Sequence, residues 1–150
     1  MSKKHTETVD SKLKTAWQVV SRMYNAEASL HDLTIAMGHF LLNIDSHEGS
    51  YGSDLAPLLG MESTSLSRIT LSLEKKKLIQ RVPDKTDGRK MKIMLTAKGK
   101  SAKELAKNVV RNFNHLVEIK VGKDKVDEFF KTMDEITTLA EDRNKLIKHN

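Results

Sequence analysis

The sequence predicts a mainly α-helical α+β fold in which two short helices and a basic hairpin lie between longer helices. Apolar residues recur at helical spacing through most of the chain and alternate in only two short runs. A small residue, a glycine and an apolar anchor stand at the offsets of a helix-turn-helix. Basic residues concentrate in the stretch that follows. Together these order the chain as a winged helix-turn-helix with N- and C-terminal dimerisation helices.

The first helix is expected over about residues 10–28. Leu13, Trp17, Val20, Tyr24 and Ala28 fall at steps of three or four on one face. His31-Asp32 breaks it, and Asp32 is expected to cap the next helix, about residues 33–45. That helix carries a wide apolar stripe of Leu33, Ala36, Met37, Phe40, Leu41 and Ile44. Residues 46–53 read as a loop or a very short strand. Ser53 is expected to cap a short helix over 54–59, with Pro57 in its first turns and Gly60 as the left-handed stop. A helix over 63–76 follows, capped from Glu62 or Ser63, with Leu66, Ile69, Thr70 and Leu73 inward.

Two strands are expected next, 78–82 and 90–95. Met91, Ile93 and Leu95 should face inward, and Lys90 and Lys92 outward. Pro83 ends the first strand, and Asp87-Gly88 makes the turn. Thr96 then caps a long helix over 97–120. Its 24 or so residues span about 36 Å, too long for this domain alone to bury. Ala102, Leu105, Val109, Phe113, Leu116 and Val117 form its stripe. Residues 121–123 interrupt it before a last helix over 124–147, striped by Val126, Phe129, Phe130, Met133, Ile136, Leu139 and Ala140. Residues 1–45 and 101–150 therefore read as mainly dimerisation helices, and 46–100 as the winged helix-turn-helix.

The 150 residues carry a net charge of +6 and no cysteine. Disulfides, thiolate ligands and a cysteine redox switch are excluded. No apolar run approaches the roughly 18 residues of a membrane span, and the polar N-terminus lacks the apolar core of a secretion signal. A cytoplasmic protein is the expectation. Residues 62–92 hold nine basic and four acidic residues, a net +5 that leaves only +1 for the rest. Such a concentrated excess is what phosphate binding needs.

The helix-turn-helix reading rests on Ala56, Gly60 and Leu66. A small residue is needed where the second helix crosses the first, positive φ four residues later, and an apolar anchor six further on. With the apolar face inward, the face toward DNA carries Ser63, Thr64, Ser65, Ser67, Arg68, Ser72 and Lys75. Short hydroxyls can approach base edges or phosphates. Arg68 is suited to a bidentate contact with guanine. Leu71 is an apolar exception on this face, meeting either a thymine methyl or the hairpin. The hairpin supplies Lys85, Arg89 and Lys90, and an arginine at its tip suits a narrow minor groove. Asp87 is expected to orient Arg89 or to stabilise the turn.

These residues resemble the MarR family, the multiple-antibiotic-resistance regulators. The resemblance is carried by Leu55-Ala56, by residues 59–81, and by residues 84–100 with their Asp84, Asp87, Arg89 spacing and Leu95-Thr96-x-x-Gly99. It implies a homodimer whose terminal helices interlock and whose two winged helices read a pseudo-palindromic operator in double-stranded DNA. It implies a repressor relieved by a small-molecule effector, often aromatic. On the same ground 63–76 is the recognition helix and Arg89 the minor-groove arginine. Lys77 departs from the pattern, standing where many members end that helix with glycine. The missing cysteine removes the peroxide-sensing mechanism of one branch.

No cofactor is expected. His5, His31, His39, His47, His115 and His149 show no HxxxH or HxH spacing, and zinc sensing is the minor alternative. Trp17, Met23, Tyr24, Met37 and His39 read as core or as the lining of an effector cavity. No phosphate loop, nucleophile elbow or paired carboxylates suggest an enzyme. A winged-helix dimer that binds a protein partner is the alternative from another class.

Overall fold

The computed structural model describes residues 7–148. Its elements are α1 (Val9–Ser29), α2 (Ile35–Asn43), β1 (Ser50–Tyr51), α3 (Gly52–Leu59), α4 (Ser63–Lys75), β2 (Ile79–Pro83), β3 (Met91–Leu95), α5 (Ala97–Val121) and α6 (Lys123–Lys148). The strands form an antiparallel sheet in the order β1-β3-β2. Among the described residues no helix is long and apolar enough to cross a membrane.

The chain divides into two compact units between Val109 and Val110, inside α5. In the first, Phe40, Leu41 and Ile44 of the α2 segment, Leu55 of α3, and Leu66 and Leu73 of α4 meet Ile79, Ile93 and Leu95 of the sheet in one buried cluster. The helical period of α2 and α4 and the alternation of β3 both point into it. Gly99 lets α5 begin against the sheet. A Cβ there would stand 1.8 Å from the Leu78 carbonyl oxygen. In the second unit, α6 buries no residue, and Phe129, Phe130, Leu139, Leu146 and Ile147 are exposed.

Several caps differ from expectation. Asp32 does not cap α2. It lies at φ 56 just beyond α1, where the Leu33 amide returns to the Ala28 carbonyl at 3.0 Å. Thr34 is the cap, accepting from the Met37 amide at 3.2 Å, because its extended backbone aims the hydroxyl into the first turn. Helix α3 starts at Gly52, with no side-chain cap from Ser53. Pro57 is thus its sixth residue, past the first turn. Met91 is 44% exposed although Ile93 and Leu95 of the same face are buried. It pairs with Pro83 at the turn end of the hairpin, on the rim of a shallow cavity beside α4.

Candidate nucleic-acid interface

The turn between α3 and α4 is built as its residues require. Gly60 sits at φ 59, and the Met61 amide donates to the Ala56 carbonyl at 3.0 Å. Leu66, 8% exposed, anchors α4 in the core. Thr70 is buried beside it and returns its hydroxyl to the Leu66 carbonyl at 2.8 Å, so a polar side chain costs little inside. The opposite face of α4 is open. Ser63, Thr64, Ser65, Ser67, Arg68 and Lys75 are exposed, and Ser72 is half-buried.

The hydroxyls are not equivalent. Ser67 donates to the Ser63 carbonyl at 2.9 Å and Ser72 to the Arg68 carbonyl at 3.0 Å. Their protons are engaged within the helix, which leaves them acceptors. Thr64 and Ser65 make no such bond among the described residues and keep a proton for a phosphate or base. Leu71 is 55% exposed and, with Met91 and Ile93, lines a shallow cavity of about 250 Å³ between α4 and the sheet.

The end of α4 falls at a strained residue. Lys77 has φ 58, the left-handed position that glycine fills at a helix end. Its amide donates to the Glu74 carbonyl at 2.8 Å, and the Leu78 amide to the Leu73 carbonyl at 3.0 Å. Lys98 donates to the Lys76 carbonyl at 3.1 Å, and the Thr96 hydroxyl to the Lys77 carbonyl at 2.7 Å.

The hairpin tip is organised by Asp84. One carboxylate oxygen accepts the Thr86 hydroxyl at 2.6 Å, the Thr86 amide at 2.9 Å and the Asp87 amide at 3.0 Å. The other accepts the phenol of Tyr51. These bonds, the Thr86 hydroxyl first and Tyr51 next, hold the carboxyl well below the usual range. The same bond pushes the Tyr51 phenol up. Asp87 makes no ion pair with Arg89. Its carboxylate takes the Arg89 backbone amide at 3.1 Å and so shapes the turn, leaving the guanidinium free. Lys85, Arg89 and Lys90 are all exposed at this tip.

The positive segment is thinner than its count. Arg81 is held bidentately by Glu74, at 2.9 and 2.8 Å, and Lys76 pairs with Asp32. Arg68, Lys75, Lys85 and Arg89 have no ion-pair partner among the described residues. Lys90 and Lys92 lie over the Tyr51 ring, 5.9 and 5.4 Å from its centroid, within cation–π range.

Sequence reasoning missed Tyr51, whose partners are 33 and about 40 residues away and depend on the pairing of β1 with β3. It also missed Lys103, a buried lysine whose ammonium donates to the Ile44 carbonyl past the end of α2. Burial pushes its pKa down. His39 stacks on Trp17 at 6.4 Å between ring centroids. No three histidine or acidic side chains among the described residues group as a metal site; His5 and His149 lie outside those residues.

A helix-turn-helix whose second helix leads into a three-stranded hairpin sheet, with unpaired cations on the open helix face and at the hairpin tip, defines a winged helix. Residues 33–91, from just before α2 to the first residue of β3, match the MarR family model. The chain's fold is that of MarR-family regulators. The S. aureus MepR–DNA complex is similar over 89% of this chain and 99% of that one, with 20% identity and a TM-score of 0.80. The transcriptional repressor CouR bound to a 23-mer DNA duplex covers 88% and 94%, with 27% identity and a TM-score of 0.76. MarR itself covers 93% and 95%, with 19% identity and a TM-score of 0.74. No curated protein matches the chain by sequence.

Proposed function

We propose that the protein is a sequence-specific, DNA-binding transcription regulator that works as a cytoplasmic homodimer and represses until a small-molecule effector binds. It performs no catalysis. The observation that carries the reading is the set of unpaired cations, Arg68 and Lys75 on α4 and Lys85 and Arg89 at the hairpin tip, all exposed on the one winged helix. Similar solved structures include two described as bound to DNA, one of them a repressor.

In this reading α4 enters the major groove. Ser63, Thr64, Ser65, Ser67, Arg68 and Ser72 face bases and backbone, and Lys75 a phosphate. Lys85, Arg89 and Lys90 follow the adjacent minor groove and its phosphates. Residues 1–45 and 101–150 supply most of the dimer contact. The exposed Trp17 of α1 and the exposed Leu116, Phe129, Phe130 and Leu139 of α5 and α6 support that assignment, since single-chain burial leaves them in water.

Selection of duplexes from a random pool tests the proposal. The expected product is a pseudo-palindrome with half-sites about 10–10.5 base pairs apart, or a multiple of that, bound with a steep salt dependence. Recovery of no enriched sequence, or an affinity indifferent to salt, would overturn it.

A further inference from the structure

We propose that Tyr51 is the positioning residue of the wing, its phenol and ring fixing the cation-bearing hairpin tip against the helix-turn-helix. The inference rests on the DNA-binding reading above and assigns that site a residue on neither the recognition helix nor the tip.

Tyr51 stands at a junction. Its backbone closes β1, where it pairs with Lys92, and immediately precedes the first residue of α3. It therefore moves with the helix-turn-helix. Its side chain reaches the tip by two routes. The phenol donates to Asp84, and Asp84 gathers the amides of Thr86 and Asp87. Asp87 in turn holds the Arg89 amide, and its carbonyl accepts the Lys90 amide at 2.9 Å. The Asp84 amide closes the loop on the Lys90 carbonyl at 2.8 Å. One phenol thus anchors the whole turn that presents Lys85 and Arg89. The second route is the ring face, which attracts the ammonium groups of Lys90 and Lys92.

The consequence is preorganisation. An exposed hairpin tip bearing long cationic side chains is ordinarily mobile, and ordering it on DNA would oppose binding. With Tyr51 in place the ordering occurs on folding. The phenol also sets how far the tip lies from α3, and through the turn at Gly60 from α4. The major-groove and minor-groove contacts are thereby held in register.

Two substitutions separate the routes. Tyr51→Phe removes the hydroxyl and keeps the ring, whereas Tyr51→Leu removes both. Two readouts are taken on the full-length protein: backbone order parameters by NMR, and affinity for the duplex recovered by wild-type selection. That duplex is also prepared with G·C pairs replacing A·T pairs under the wing.

Tyr51→Phe should lower the order parameters of residues 85–89 from near the rigid value of about 0.85 toward about 0.6, with those of α4 unchanged. Its affinity should fall roughly five- to tenfold, since the ordering of rotamer-rich side chains moves to the binding step. Its preference for A·T under the wing should shrink toward none. Tyr51→Leu should be weaker again. Order parameters at 85–89 that match wild type in both variants overturn the inference, whatever happens to DNA affinity. A mobile wing with undiminished affinity and A·T preference overturns its functional half. If the wild type itself enriches no duplex, the DNA-binding reading fails instead, and the order parameters alone decide whether Tyr51 holds the tip.

Discussion

Replacing Lys77 by glycine should stabilise the protein, although it deletes a side chain from the end of α4. Lys77 has φ 58. A side chain in that region costs about 1–2 kcal/mol through the approach of Cβ to the following carbonyl. Glycine removes this but returns about 0.5–1 kcal/mol as extra freedom of the unfolded chain. Nothing else in the structure opposes the change. The Lys77 side chain is exposed and makes no ion pair among the described residues. The bonds that end the helix, from the amides of Lys77 and Leu78, are backbone bonds that glycine keeps. So is the bond from Thr96 to the Lys77 carbonyl. A lysine at a helix C-terminus contributes a few tenths of a kcal/mol by the macrodipole. The net gain is about 0.5 kcal/mol, raising Tm by about 1–2 °C at this size. Urea denaturation at fixed protein concentration measures it, with Lys77→Ala as the control. Alanine also loses the ammonium but keeps Cβ, so it should gain nothing. A glycine variant no more stable than the alanine variant would refute the reasoning.

Other perturbations address the interface directly. Arg68→Ala should cost about 1–3 kcal/mol of operator affinity and relax base preference at one position of each half-site; an unchanged sequence preference would make Arg68 a phosphate clamp only. Arg89→Ala should weaken binding and flatten the slope of log affinity against log salt by about one for each phosphate it neutralises. A slope identical to wild type would place the wing off the DNA. The Asp84 carboxyl has its pKa lowered by folding, so its contribution to stability is complete above the unfolded value of about 3.9 and is lost as pH falls toward the folded one. The stability difference between wild type and Asp84→Asn should therefore shrink as acid denaturation is followed downward from pH 5; a constant difference would show that the charge is not what the loop uses.

Much of the fold was legible because its determinants are local. Ala56, Gly60 and Leu66 specify the turn within eleven residues, and the left-handed backbone at Lys77 follows from a helix that must stop there. The alternation of Ile93 and Leu95 gave β3, while Met91 misled because period two says which face a residue takes, not where cover ends. The N-cap at Thr34 rather than Asp32 escaped because both side chains can cap and only the backbone decides. What lay beyond reach was long-range. Glu74 meets Arg81 only because α4 folds back against β2. Lys76 meets Asp32 across 44 residues, and Lys103 finds the Ile44 carbonyl across 59. A net charge counted along the sequence treats all these cations alike, and the fold does not.

The distribution of paired and unpaired charge along α4 bears on how that helix is presented. Its C-terminal end is tied on several sides. Glu74 binds Arg81 of the sheet, Lys76 binds Asp32 at the end of α1, and Lys98 and Thr96 from the start of α5 hold the Lys76 and Lys77 carbonyls. The two ion pairs are at least partly exposed and add little to stability. Their effect is geometric, since they use the helix-end charges on neighbouring elements. The first half of α4 has no such ties. Among the described residues Arg68 has no ion-pair partner, Thr64 and Ser65 keep their protons, and the first-turn amides at Ser63–Ser65 lack a side-chain cap. A recognition helix reads DNA mainly with its N-terminal residues. On the proposed reading α4 is clamped at the far end by its own protein and left uncapped at the near end, where a phosphate or base would complete it.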